Sequence, residues 1–279
     1  MENAKQLLLY GVGELGKDKR LEAEMLLASV LGYSRASLLA HDDDIPSAEQ
    51  NRAFRALIQR RANHEPLQYL LGSTNFMGMD FMVTPEVLIP RFDTEILVEK
   101  ALELLRFKDS GKRALDLCTG SGAIAVSMAK FAKDCEVWAS DLSANAIQVA
   151  QTNSENQGVK VSFRQGSLFK PFDQGFDHYF DLIASNPPYI TSDEFKALPD
   201  EVRKEPTMAL WGGNDGLKFY RDIANESTSY LKEEGYLLFE IGFAQGEQVK
   251  SIMENAGFIS VEIIKDWQGH DRVVWGQLK

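Results

Sequence analysis

From residue 114 onward, short apolar runs alternate with helical segments, and this restricts the chain to a layered α/β fold with a largely parallel sheet. The strand candidates are residues 114–117, 137–140, 161–164, 182–185, 236–241, 261–265 and 273–276. The last two are joined only by Asp266-Trp267-Gln268-Gly269-His270-Asp271, too short for a crossover helix, so they are predicted to pair antiparallel. At 279 residues with 44% hydrophobic content there is enough apolar material for a full core and for a second, smaller domain.

The first 70 residues follow a different rule. Leu21, Met25, Leu26 and Val30 recur at helical spacing and Gly32 is a natural stop. Ser47 is placed to cap a helix that carries Phe54, Leu57 and Ile58 on one face. Arg52, Arg55, Arg60 and Arg61 lie on the same helix, either as a solvated face or as a partner-binding cluster. Between residues 70 and 92 the period shortens, and Phe76, Met77-Gly78-Met79, Phe81 and Val83 suggest a hairpin.

Composition excludes several function classes. Two cysteines and four scattered histidines give neither a disulfide framework nor metal-ligand spacing. A net charge of −11 opposes broad association with phosphate backbones, so stable nucleic acid binding is not expected. No apolar run approaches a membrane span and the start has no secretory layout, so the expected compartment is the cytoplasm, without membrane attachment.

Two motifs carry the chemistry. The first is Ala114-Leu115-Asp116-Leu117-Cys118-Thr119-Gly120-Ser121-Gly122-Ala123-Ile124-Ala125, a strand, a tight glycine turn and a helix start. Glycines there let a ligand approach the backbone and the helix N–H groups. Asp141 ends the next strand, where a carboxylate can accept both hydroxyls of a ribose. The spacing also satisfies a dinucleotide fingerprint. Asp116 argues for S-adenosyl-L-methionine instead, since a carboxylate suits an ammonium and repels a pyrophosphate; its alternative role is partner to the helix dipole. Leu168 or Phe169, after the third strand, would wall an adenine ring or simply pack in the core.

The second motif is Asn186-Pro187-Pro188-Tyr189, directly after a buried strand. The prolines end the ladder and stiffen the turn. The Asn186 side-chain oxygen and the Pro187 carbonyl are acceptors that can take both hydrogens of a planar NH2, and Tyr189 can stack on the group that bears it. The plainer reading is a rigid loop exit. The segment from 191 to 214 that follows is long for a loop and is expected to act as a lid or binding surface.

With these motifs in place, the chain resembles the class 1 peptide chain release factor glutamine methyltransferases. The resemblance runs from about residue 65 to the end and rests on Gln68-Tyr69-Leu70-Leu71-Gly72, Ile89-Pro90-Arg91, the glycine turn, Asn186-Pro187-Pro188-Tyr189, Phe239-Glu240-Ile241-Gly242 and Asp271-Arg272-Val273-Val274. It implies transfer of a methyl group from S-adenosyl-L-methionine to the Gln amide of a Gly-Gly-Gln tripeptide in class 1 release factors. The fold implied is a seven-stranded Rossmann-like sheet (residues 96–279) preceded by a helical substrate-recognition domain (1–70) and a hairpin linker (71–95). It further implies cofactor contacts at Cys118, Thr119, Gly120, Ser121, Gly122, Asp141 and Asn186, with the amide substrate held by Asn186, Pro187, Pro188 and Tyr189. The tetrapeptide alone is shared with adenine-N6 and cytosine-N4 nucleic acid methyltransferases, the rival enzyme reading. A non-catalytic cofactor-binding scaffold is the rival outside catalysis. The chain departs from the family pattern at Phe92 and Asp93, where Pro and Glu are usual, and at Ser167, where Asp is usual. Cys118 replaces a commoner glycine, a change that a negative φ would tolerate.

Overall fold

The computed structural model describes residues 2–108, 110–172 and 174–279. They form two compact units, Met1–Ser73 with Pro199–Lys204, and Thr74–Leu198 with Glu205–Lys279.

The first unit holds α1 (Ala4–Leu15), α2 (Arg20–Leu31), α3 (Arg35–Ala40), α4 (Ala48–Ala62) and α5 (Leu67–Leu71). Ser47 caps α4 in a reciprocal box with Gln50, and Gly32 ends α2 in a left-handed conformation. The face of α2 differs from the expected one. Ala23, Leu26 and Leu27 are buried while Leu21 is 49% exposed, because α2 packs against both α1 and α4 and its apolar stripe is centred one position along. The arginine cluster of α4 is largely consumed within the unit. Arg55 pairs with Glu2, Arg60 with Glu65, and the buried Arg61 with Glu22 and Glu201.

The second unit opens with the hairpin β1 (Ser73–Phe76) and β2 (Met79–Met82), turned at Met77 and Gly78, both with positive φ. Then come α6 (Asp93–Arg106) and seven strands: β3 (Lys112–Leu117), β4 (Cys135–Asp141), β5 (Val161–Gln165), β6 (Phe180–Ser185), β7 (Leu231–Glu240), β8 (Phe258–Lys265) and β9 (Asp271–Leu278). Between them lie α7 (Ala123–Phe131), α8 (Ala144–Asn156), α9 (Ser192–Ala197), α10 (Thr207–Leu210), α11 (Lys218–Tyr230) and α12 (Gly246–Asn255). The sheet order is β5-β4-β3-β6-β7-β9-β8. β9 runs antiparallel to β7 and β8, as the short connection requires, and the other pairs are parallel.

Both sheet faces are covered. Ala114, Leu182, Ala184 and Leu238 pack towards α6 and α7, and Leu115, Ile183, Leu237 and Phe239 towards α11 and α12. Strand β6 is buried along its whole length, which is why it reads as a continuous apolar run. Strand order reverses between β3 and β6, and a crevice at the C-terminal ends of strands forms at such a switch point.

Candidate active site

The turn after β3 is held mostly by backbone. Thr119 N–H donates to the Ser140 carbonyl at 3.0 Å and Gly122 N–H to the Thr119 carbonyl at 2.8 Å. Gly122 has φ 82°, and a Cβ there would stand 2.9 Å from the Ala150 Cβ of α8, so glycine is required on both counts. The negative φ that would accommodate Cys118 is not the one the backbone adopts. Cys118 sits at φ 60°, because the chain must reverse between the end of β3 and the start of α7, and this explains why glycine is the commoner residue there.

Asp116 is fully buried at the base of this turn. Its Oδ2 accepts from the Thr119 hydroxyl at 2.5 Å and from the Ala125 N–H of α7 at 3.1 Å, while Oδ1 has no hydrogen-bond partner among the described residues. Burial outweighs those two bonds and raises its pKa to about 7. The carboxyl therefore braces the start of α7, which is the helix-dipole role.

A cavity of about 230 Å³ opens beside the turn. Of the residues singled out from sequence, Cys118, Gly120, Asp141, Leu168, Asn186 and Pro188 line it, with Ser167. Asp116, Thr119, Ser121, Gly122, Pro187 and Tyr189 are not among its walls. Asp141 accepts from Gly120 N–H and Ser143 N–H, both at 2.9 Å, so one carboxylate ties the glycine turn to the cap of α8 and retains lone pairs for a ligand. Leu168 takes the wall position, and Phe169 is a core residue stacked on Tyr230 with centroids 4.5 Å apart.

The corner after β6 is clamped by a distant segment. Ile190 N–H donates to the Leu210 carbonyl and Gly212 N–H to the Ile190 carbonyl, both at 2.9 Å. A Cβ on Gly212 would lie 2.6 Å from the Pro188 carbonyl oxygen and from Tyr189 Cα. Residues 191–214, expected as one long loop, contain α9 and α10, and the segment folds back so that Pro206, Met208 and Trp211 form part of the cavity wall. Tyr189 faces a second cavity of about 250 Å³ with Ile190, Gly242 and Phe243. Burial raises its phenol pKa, so it is neutral at ordinary pH.

Comparison with known proteins decides the family. A release factor glutamine methyltransferase of Geobacter sulfurreducens is 44% identical over 94% of this chain and 90% of its own length. The chain belongs to the release factor glutamine methyltransferase family. Another member, from Clostridium acetobutylicum, is 42% identical over 91% of this chain and 89% of its own. Residues 6–72 match the family described as PrmC N-terminal domain, and residues 92–203 the methyltransferase small domain. The fold is shared with a methyltransferase from Pyrococcus furiosus, with TM-score 0.55 and 22% identity over 72% of this chain and 90% of that one.

The methyl donor of this family is S-adenosyl-L-methionine, and the walls suit it. Leu142 and Leu168 offer apolar surface for a flat base, and Asp141 offers acceptors for a diol. Thr94, Glu240 and Arg272, which cluster beside Asn186, escaped the sequence reading as site residues. The available signal was a lone carboxylate ending an apolar strand, the pattern that Asp116 and Asp141 also show.

Proposed function

We propose that this chain transfers a methyl group from S-adenosyl-L-methionine to the side-chain amide nitrogen of the Gln in the Gly-Gly-Gln motif of class 1 release factors. The observation that carries this reading is that Asn186 and Pro188 line the same cavity as Asp141 and the glycine turn. When bound, the cofactor supplies an electron-poor methyl carbon on a sulfonium sulfur.

The chain's own residues orient the acceptor. Asn186 Oδ1 and the Pro187 carbonyl take the two amide hydrogens, which directs the nitrogen lone pair towards the donor. Tyr189, neutral and half-buried, packs on the amide plane. The methylated amide cation is strongly acidic and loses its proton to solvent, so no dedicated base is assigned, and fixed dipoles supply the stabilisation. The helical unit supplies recognition of the folded release factor. Because its substrates are translation factors, the compartment proposed is the cytoplasm, with no stable nucleic acid partner.

Asn186→Ala tests the assignment. Loss of one preorganised polar group predicts a fall in kcat of ~10²–10³-fold with cofactor affinity nearly unchanged. Labelled cofactor with purified release factor, followed by peptide mass analysis, should place the label on the Gly-Gly-Gln glutamine. Label transferred to DNA instead would favour the nucleic acid reading, and a fully active Asn186→Ala would remove Asn186 as the acceptor.

A further inference from the structure

Glu240 is a fully buried titratable group at the Asn186 corner to which the reaction above gives no part. The β6–β7 register pairs Ser185 with Phe239, so Asn186 and Glu240 leave adjacent parallel strands side by side. Glu240 is 2% exposed and Thr94, in the first turn of α6, is 4% exposed. Asn186 Nδ2 donates to Thr94 Oγ1 at 3.5 Å, and the Glu240 carboxylate lies close enough to both side chains for each to lower its pKa, while its own Oε2 has no hydrogen-bond partner among the described residues.

An ionised carboxylate can only accept hydrogen bonds, so only the NH2 end of a carboxamide can face it. The oxygen is then turned to the opposite side, and Asn186 is a wall of the cavity. Orientation matters here because a reversed carboxamide would set its own NH2 against the NH2 of the substrate. We propose that Glu240 and Thr94 are positioning residues that lock the Asn186 carboxamide with its oxygen presented to the substrate amide. This rests on the reading of Asn186 as acceptor given above.

The groups around Glu240 tune the lock. Arg272 on β9 approaches it while paired with Asp93 at 3.2 Å and Asp266 at 3.0 Å. Tyr220 of α11 donates to the Glu240 backbone carbonyl at 3.1 Å, and Tyr189, packed against the cluster that holds Tyr220 and Phe239, feels the Glu240 charge. Burial is the largest influence and raises the Glu240 pKa to about 7, with Asp93 acting in the same direction and Thr94, Arg272 and Asn186 opposing it. Protonated Glu240 can donate to the Asn186 oxygen and turn the amide round. Turnover should therefore rise with pH as Glu240 ionises.

The test uses the full chain and four variants: Glu240→Gln, Thr94→Val, Asn186→Ala and the Asn186→Ala/Glu240→Gln double. By analogy with residues that orient catalytic ligands, Glu240→Gln and Thr94→Val should each lower kcat by about 10- to 100-fold, with KM and calorimetric cofactor affinity little changed. The acid limb of the kcat profile should vanish in Glu240→Gln, and the double variant should be no worse than Asn186→Ala alone. Independently of turnover, the Asn186 side-chain NH2 resonance should titrate in the wild type and stay fixed in Glu240→Gln. Wild-type kcat in both single variants, or an Asn186 resonance indifferent to Glu240, would overturn the proposal. If Glu240→Gln fails to bind cofactor, Thr94→Val decides. An active Asn186→Ala would defeat the acceptor reading, while the resonance still judges the lock.

Discussion

Cys118 imposes a left-handed backbone on a residue with a Cβ, a conformation that costs an L-amino acid roughly 1–2 kcal/mol. Comparing Cys118→Gly with Cys118→Ala removes the thiol from both and isolates that strain. After allowing for glycine's greater freedom in the unfolded chain, Cys118→Gly should be the more stable by about 0.5–1 kcal/mol in urea unfolding. Equal midpoints would mean that the turn relaxes. Asp116 makes a second prediction. Its folded pKa of about 7 lies above its ordinary value, so the folded state holds the proton more tightly. The stability it contributes is fully present below the unfolded pKa and is lost as pH rises through about 7. Asp116→Asn should flatten the decline of stability between acid and neutral pH, with Glu240 supplying a remaining slope of the same sign. A variant with an unchanged slope would remove Asp116 as its source.

At the scale of elements, the corner after β6 is rigid because two chain segments share it. Prolines stiffen residues 186–189 from within, while residues 210–212 hold them from outside through the Ile190–Leu210 and Gly212–Ile190 backbone bonds. Gly212→Ala forces a methyl group against main-chain atoms that have nowhere to go. The expected cost is about 1–3 kcal/mol of stability, and a displaced corner lowers kcat by up to ~10²-fold. Gly13→Ala, in α1 with open space around its Cβ, serves as the control and should leave turnover unchanged. A Gly212→Ala enzyme with normal kcat would show that the clamp is dispensable. Strands such as β6 were readable because burial on both faces leaves a continuous apolar run, and β8–β9 because their connection was too short for any other pairing. The clamp was not readable, since nothing local marks residues 206–212 as neighbours of 186–190.

For the whole molecule, the contact pattern assigns Pro199–Lys204 to the helical unit although the flanking residues belong to the sheet unit. Arg61 accounts for part of this: buried in α4, it is ion-paired with both Glu22 and Glu201. If the helical unit serves recognition, deleting residues 1–70 should reduce kcat/KM for intact release factor by at least about tenfold more than for a short Gly-Gly-Gln peptide, the worth of one good contact. Equal losses on the two substrates would instead indicate a structural role.

The sequence alone determined whatever depends on neighbours along the chain: the order of strands and helices, the glycine turn, the Ser47 cap, and the proline-stiffened corner. It also singled out Asp141 and Asn186 as candidates, and both line the cavity, because a polar group ending an apolar strand has to emerge at the sheet's edge. Only the tertiary structure decided that Asp116 braces a helix, that Cys118 is strained, that Leu168 and not Phe169 meets the cavity, and that Thr94 and Glu240 flank Asn186. Periodicity and capping are set by local backbone geometry. Burial, pairing and pKa depend on residues that lie far apart in the chain and meet only when the sheet closes.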